Sequence, residues 1–207
     1  MPLQLTASNI AKTFNRRTIF RNISFSISAR QTLLITGRNG SGKSTLVKII
    51  SNVLSPTEGT VRVATGDSEA RAVHSSLIGL VSPYLQLYDE FTAEENLRYA
   101  LSMRGRTADR ARIHDLLRTV FLLERKDDPV RTFSSGMKQR MKYAFALVHT
   151  PPILVLDEPT SNLDAEGIAM VKEILARHVQ EGILIIATND LTDVEHYDEQ
   201  VDLNVRT

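Results

Sequence analysis

A glycine-rich run that ends in lysine and serine is the part of the sequence best suited to chemistry. Residues 37–45 read GRNGSGKST, which matches the pattern G-x-x-x-x-G-K-[ST]. Glycines let successive backbone N–H groups turn towards phosphate oxygens, and the start of a helix adds partial positive charge. Lys43 can then reach the β- and γ-phosphates of a nucleotide, and the Ser44 hydroxyl can ligate Mg²⁺. We therefore predict a phosphate-binding loop made of Gly37, Arg38, Asn39, Gly40, Ser41, Gly42, Lys43, Ser44 and Thr45.

Two carboxylates follow an apolar run later in the chain. Residues 153–156 read ILVL and are followed by Asp157 and Glu158. A buried strand would carry Asp157 to the carboxyl edge of a sheet, where it can hold Mg²⁺ through water. Glu158 can polarise an attacking water as a general base. Alone, each motif has a plain alternative, either a glycine turn with a solvated lysine or a strand that ends in two solvated acids. Their occurrence together favours a site that hydrolyses a nucleotide.

Apolar strands alternate with helices along much of the chain. Short apolar runs at residues 32–36, 153–156 and 183–187 are typical of buried strands. Helix-like runs at residues 43–50 and about 165–179 lie between them. This alternation predicts a mostly parallel sheet that is covered on both faces.

The beginning and the middle of the chain follow other patterns. Residues 1–36 read as strands, and residues 23–28 alternate between apolar side chains and serine. The middle of the chain, roughly residues 90–148, has helical periodicity and interrupts the strand–helix alternation. We therefore predict one α/β domain over residues 1–207. It has a P-loop NTPase core with a mostly parallel sheet, N-terminal antiparallel strands and an inserted helical subdomain.

Composition excludes several classes of protein. The 207 residues include 25 Lys and Arg against 24 Asp and Glu, for a net charge of +1. Because a nucleic-acid binder is usually far more basic, we expect no nucleic-acid partner. The sequence contains no cysteine, which excludes disulfides, zinc–thiolate sites and a cysteine nucleophile. Neither a signal peptide nor a membrane span is evident, so we expect an intracellular chain that does not cross a membrane by itself.

The two motifs, together with two more, resemble those of the ATP-binding-cassette (ABC) ATPases over nearly the whole chain. Residues 133–140 (FSSGMKQR) are similar to the family's L-S-G-G-Q signature, and residues 161–164 (SNLD) are similar to its D-loop. The resemblance implies that the chain binds ATP and Mg²⁺. It also implies that two cassettes clamp two ATP molecules head to tail, each nucleotide lying between one chain's phosphate-binding loop and the other chain's signature.

The resemblance also assigns roles to individual residues. The signature residues that act on the partner's nucleotide are Ser134, Ser135 and Gly136, and the D-loop residue is Asp164. The helix start after Ser134 is an anion site in its own right, although a plain Ser-Ser-Gly helix cap is the alternative. Phe14 matches the aromatic residue that stacks on adenine, with a core phenylalanine as the alternative.

Three departures from the pattern of the family matter, and the mildest is in the signature, where Ser135 replaces the first glycine and Met137 replaces the glutamine. Pro83 stands where the family usually has a glutamine that senses Mg²⁺ and water, and proline has no amide side chain and no N–H. Gln86 is a candidate substitute, or else a solvated loop residue. Asn189 stands where the family has a histidine at the γ-phosphate. Asparagine can donate one hydrogen bond to phosphate but is never cationic. The alternative is that Asn189 is only a turn residue. A lost charge-assisted contact slows hydrolysis roughly 10- to 1000-fold. We therefore expect a slow or partner-dependent ATPase in which Glu158, Lys43 and Asn189 are catalytic.

The resemblance implies partners as well. It predicts a transmembrane permease subunit, a second ABC ATPase subunit in a homodimer or heterodimer, and a position in the cytoplasm on the inner face of the cell membrane. Residues 84–88 (YLQLY) would line the groove that receives a helix of the permease, or would pack locally in the helical subdomain.

The cargo is the least constrained feature. Residues 34–43 and 92–97 resemble the haem-exporter ATPase of bacterial cytochrome c maturation, which implies delivery of haem for cytochrome assembly. One alternative is a generic ABC exporter ATPase for a lipid, polysaccharide or drug. The others are a non-transport cassette and a switch that only dimerises on ATP.

Overall fold

Strands of the described chain form two separate sheets. The computed structural model describes residues 3–66, 71–72, 75–191, 194 and 196–204. The antiparallel sheet contains β1 (Gln4–Phe14), β2 (Arg17–Ser28), β4 (Glu58–Ala64) and β5 (Arg71–Ala72), in the spatial order β2-β1-β4-β5. The parallel sheet contains β3 (Thr32–Thr36), β6 (Ile78–Val81), β7 (Ile153–Asp157), β8 (Ile183–Ala187) and β9 (Glu199–Asp202), in the spatial order β6-β7-β8-β3-β9. The helices are α1 (Lys43–Ile50), α2 (Ala93–Ser102), α3 (Arg110–Thr119), α4 (Ser135–Leu147) and α5 (Ala165–His178).

Alternating side chains explain the antiparallel sheet. Leu5 of β1 lies opposite Ile27 of β2, and Ala7 lies opposite Phe25; all four side chains are buried. Ser26, which lies between Phe25 and Ile27 in β2, is exposed, as expected for a strand with one face in water. The predicted N-terminal antiparallel strands are therefore confirmed.

Continuous apolar runs explain the parallel sheet. In β7, Ile153 and Val155 join the apolar cluster that contains the inner residues of β1, β2 and α1. Leu154 and Leu156 point to the opposite face and join a second cluster, which contains residues of α2, α3, α4 and α5. Because both faces of β7 are covered, every residue of the strand is buried. The predicted α/β class and mostly parallel sheet are confirmed.

Three helices, α2, α3 and α4, lie between β6 and β7 in the chain. They share the second apolar cluster through residues that include Leu97, Ile113, Leu117, Met141 and Tyr143. The start of α2 is fixed by a reciprocal cap, in which the Thr92 hydroxyl accepts from the Glu95 N–H (3.1 Å) and the Glu95 carboxylate accepts from the Thr92 N–H (2.8 Å). Among the described helices, none has the length and apolar character that a membrane span requires.

The strand order brings the predicted motifs to one edge. The strand β8 lies between β3 and β7, and all three run parallel. The residues that follow these strands, at positions 37, 158 and 188, therefore emerge at the same carboxyl edge.

Candidate nucleotide-binding site

The phosphate-binding loop joins β3 to α1, and its glycines have conformations that other residues rarely adopt. Gly40 and Gly42 have φ angles of 81° and 109°. A Cβ on Gly42, the residue that caps α1, would lie 2.6 Å from Cγ2 of Ile19. Both the backbone angle and the close approach of β2 therefore require glycine at this position.

Lys43 connects the phosphate-binding loop to the end of β7. The whole residue is only 6% exposed. The Nζ donates a 2.8 Å hydrogen bond to the Gly37 carbonyl oxygen and lies 3.6 Å from Oε1 of Glu158. The two motifs predicted from separate parts of the sequence thus meet, with a buried cation between them. Such a cation can bind phosphate oxygens more strongly than a solvated one.

Asp157 is a buried carboxylate at the last position of β7. It is 1% exposed, and neither of its oxygens accepts a hydrogen bond of normal geometry from the described residues. Burial raises the pKa of Asp157, against opposing effects of the Ser44 hydroxyl and the Lys43 ammonium. A buried carboxylate with two free acceptor oxygens beside a serine hydroxyl suits a hard cation with oxygen ligands, so the residues fit Mg²⁺.

We expect Asp157→Asn to stabilise the metal-free protein while weakening Mg²⁺-dependent nucleotide binding. Because the pKa of Asp157 is raised, its ionised form destabilises the folded state at neutral and higher pH, and this effect fades as the pH falls. The neutral amide should raise the free energy of unfolding at slightly alkaline pH and raise it less in acid. Urea unfolding in chelator measures this. The exposed Asp115→Asn serves as control, and a destabilised Asp157→Asn would contradict the expectation.

Glu158 has an unusual backbone conformation. Its φ angle is 52°, in the left-handed region, and its N–H donates a 2.8 Å hydrogen bond to the Ala187 carbonyl of β8. A non-glycine residue is held there at some cost, which is typical of functional sites. The bend directs the side chain towards Lys43 instead of continuing along the strand.

Thr188 is a site residue that the sequence analysis missed. It is fully buried directly after β8, and its hydroxyl lies within 3.4 Å of Oε2 of Glu158 as a donor. A signal was present, because a polar residue directly follows an apolar strand in the same way that Glu158 follows β7. Asn189, the next residue, is exposed at this edge.

Phe14 lies on the surface at the end of β1. Its ring is 43% exposed, and the Nζ of Lys12 lies 4.8 Å from the ring centroid. The alternative that Phe14 is a core residue is therefore wrong. An exposed aromatic face remains available for stacking on a base.

The loop after β6 brings Ser82, and not the expected Pro83 or Gln86, close to Asp157. Pro83 and Gln86 are both exposed. Ser82 is buried, and its hydroxyl lies close enough to Asp157 to lower the pKa of that carboxyl against the effect of burial. Gln86 instead lines a cavity of about 430 Å³ beside Ser135 of α4.

The signature residues begin α4. The Ser134 hydroxyl accepts a 3.2 Å hydrogen bond from the Met137 N–H, Ser134 and Ser135 are exposed, and Gly136 is half-buried. A cavity of about 610 Å³ beside the phosphate-binding loop is lined by residues that include Arg38, Asn39, Gly40 and Ser41. It shares no lining residue with the cavity beside Ser135. The signature and the phosphate-binding loop of one chain thus border different cavities.

Asp164 links the D-loop to the signature helix. It caps α5 by accepting from the Gly167 N–H (2.9 Å), and it accepts a hydrogen bond from Arg140 of α4 (2.7 Å). The hydrogen bond from Arg140 lowers the pKa of Asp164, so the carboxylate stays ionised. Arg140 also pairs with Glu166 (3.0 Å).

Similar proteins agree with this architecture. A family model described as ABC transporter matches residues 20–161, more than half of the chain. The linearmycin resistance ATP-binding protein LnrL of Bacillus subtilis is 35% identical over 203 residues, which cover 96% of this chain but 63% of LnrL. The cytochrome c biogenesis ATP-binding export protein CcmA of Methylococcus capsulatus is 36% identical over 174 residues, 84% of each chain.

A solved structure shows the same fold. The dimeric post-hydrolysis state of the ATP-binding cassette MJ0796, bound to ADP and Pi, superimposes with a TM-score of 0.84 over 96% of this chain and 93% of that one, at 24% identity. The family match, the relatives and the site geometry point to the same assignment. This chain belongs to the ABC transporter family, as one of its ATP-binding proteins.

Proposed function

We propose that this chain is the ATP-hydrolysing subunit of an ABC transporter, and that it powers a separate transmembrane partner through ATP-driven dimerisation. The observation that carries the proposal is the junction of Lys43, Glu158 and Asp157. There a buried cation lies 3.6 Å from a general-base candidate, next to a buried carboxylate whose oxygens accept no hydrogen bond of normal geometry from the described residues. Residues 1–207 would act as one cassette, with the helical subdomain at about 90–148.

Each residue has a distinct task in this proposal. Lys43 and the N–H groups of the phosphate-binding loop hold the phosphates of ATP. Ser44 and Asp157 would hold Mg²⁺, which supplies positive charge to the β- and γ-phosphate oxygens. Glu158 accepts a proton from the attacking water, and the Thr188 hydroxyl orients its carboxylate. Phe14 stacks on the adenine.

We propose that hydrolysis is slow or depends on the partner. Pro83 offers the site no amide, and the exposed Asn189 brings no positive charge to the γ-phosphate. Glu158 is retained, so the chemical step keeps its base. Contacts supplied by a permease or by a different ATPase subunit would then raise the rate.

Asn189→His is expected to accelerate turnover. A histidine can add a charge-assisted hydrogen bond to the γ-phosphate in the transition state, which should raise kcat about 10-fold or more. Steady-state phosphate release by the purified chain measures the effect. Gln180→His, in the exposed turn after α5, is the matched control and should leave kcat unchanged. If wild type and Asn189→His hydrolyse ATP at equal rates, Asn189 is not the reason for slow hydrolysis.

The partner can be identified by capture. A tagged Glu158→Gln variant, held with ATP, is incubated with detergent-solubilised membranes of its own organism, and co-purifying proteins are identified. A multi-span permease supports transport and a position on the inner face of the cell membrane. Recovery of only soluble proteins or nucleic acid would favour a non-transport cassette.

Two cargo classes have support from relatives. Haem export for cytochrome c biogenesis is supported by the similarity to the export protein CcmA, and a generic exporter ATPase for a lipid, polysaccharide or drug is supported by the similarity to the linearmycin resistance protein LnrL. The captured permease distinguishes them, because a subunit of the cytochrome c maturation system would establish the first class. A different permease would keep the ATPase mechanism and replace the cargo.

A further inference from the structure

A lysine in the middle of α4 holds the loop that follows β6. The Nζ of Lys142 donates hydrogen bonds to the carbonyl oxygens of Ser82 (3.1 Å) and Pro83 (3.3 Å). The side chain is half-buried, and burial lowers the pKa of its ammonium. A partly buried cation has lost part of its hydration, so these two carbonyl oxygens replace water as its acceptors.

The loop that Lys142 holds also lies close to Asp157, the carboxylate proposed to bind Mg²⁺. The Ser82 hydroxyl accepts from the Tyr84 N–H (3.2 Å) and lies close enough to Asp157 to affect its pKa. One residue therefore has its side chain near the metal site and its carbonyl oxygen on α4. Pro83 has neither an N–H nor a side-chain amide, so its carbonyl oxygen is the polar group that it offers to α4. The Ser82 carbonyl oxygen accepts from the Leu85 N–H (3.1 Å) as well as from Lys142.

The same helix also contacts the segment that follows Glu158. The Tyr143 hydroxyl donates a 2.8 Å hydrogen bond to the Pro159 carbonyl oxygen, and Arg140 binds Asp164. The helix α4 thus contacts both the loop that follows β6 and the segment that follows Asp157 and Glu158. The first turn of the same helix carries the signature residues, so the contacts to both loops and the signature lie on one hydrogen-bonded helix.

We propose that Lys142 is a positioning residue that couples a chain's own ATP site to the signature at the start of α4, and so to the ATP site of the partner chain. The inference rests on the proposed function, since it requires ATP-driven pairing of two cassettes. Lys142 itself touches neither nucleotide nor metal in this scheme. Its positive charge and its two carbonyl contacts are what the coupling needs.

The test separates ATP binding from ATP-driven dimerisation. All variants are made in the Glu158→Gln background, which keeps ATP unhydrolysed. Binding of a fluorescent ATP analogue with Mg²⁺ is measured on dilute protein, and dimerisation is measured by sedimentation as ATP is raised. Lys142→Met should bind the analogue like its parent but need an ATP concentration at least about 5-fold higher to dimerise, the lower end of usual coupling between sites.

Two further variants control the result. Lys142→Arg can still donate to both carbonyl oxygens and should restore dimerisation to the parent's ATP concentration. Lys172→Met removes an exposed lysine of α5, away from the signature and from the loop after β6, and should behave as the parent does.

The outcomes distinguish the inference from its premise. If Lys142→Met dimerises like Lys172→Met, or if it loses analogue binding and thermal stability together, Lys142 does not couple the sites. Failure of Lys142→Arg to restore dimerisation also overturns the inference. If the parent binds no ATP analogue at all, the proposed function itself is refuted.

Discussion

Replacing Glu158 with glutamine is expected to slow ATP hydrolysis by about 1000-fold, within the range for loss of a general base. Glutamine has nearly the same shape but cannot accept the proton of the attacking water. ATP binding should persist or tighten, because a negative charge 3.6 Å from Lys43 is removed near the phosphates. Single-turnover hydrolysis and equilibrium ATP binding, measured on the same preparation, test both parts.

The outcome also separates an enzyme from a switch. Glu173→Gln, on the exposed face of α5, is a matched control and should retain wild-type turnover. If Glu158→Gln hydrolyses ATP as fast as the wild type, Glu158 is not the base, and a protein that only dimerises on ATP becomes the better description.

Gly136→Asp is expected to lower ATP turnover by about 1000-fold, while ATP binding by the isolated chain stays intact. In the proposed dimer this position faces the phosphates on the partner chain, and a carboxylate there repels them across a desolvated interface. A Cβ on Gly136 meets only the Asn162 carbonyl oxygen, at 3.2 Å, so the fold should tolerate the change. Phosphate release and ATP-analogue binding measure the two effects.

Mixing the two inactive variants tests the head-to-tail arrangement. A dimer of one Glu158→Gln chain and one Gly136→Asp chain has one site with an intact base and an intact signature. Random pairing should then restore about a quarter of wild-type turnover if the two sites act independently. Gly136→Ala controls for the added side chain, and wild-type turnover by Gly136→Asp alone would contradict a role for the signature in trans.

Much of the fold and of the motif set can be predicted without coordinates, because each prediction depends on contiguous residues. Short stretches of sequence predict the phosphate-binding loop, the apolar strands β3, β7 and β8, and the capped start of α2. Backbone geometry at these positions depends on residue type and periodicity, which a local pattern records.

Contacts between distant parts of the chain were decided only by the tertiary structure. The Thr188 hydroxyl beside Glu158 and the hydrogen bonds from Lys142 to the loop at Pro83 join residues that no sequence pattern relates. The motifs place Lys43 and Glu158 in one site, but only the structure shows the 3.6 Å distance between them. Likewise, only packing shows that Phe14 is exposed. The sequence by itself determined the fold class, the phosphate chemistry and the resemblance to the family. The strand order, with β8 between β3 and β7, decided which side chains meet, because their partners come from different elements of the sheet and its helices.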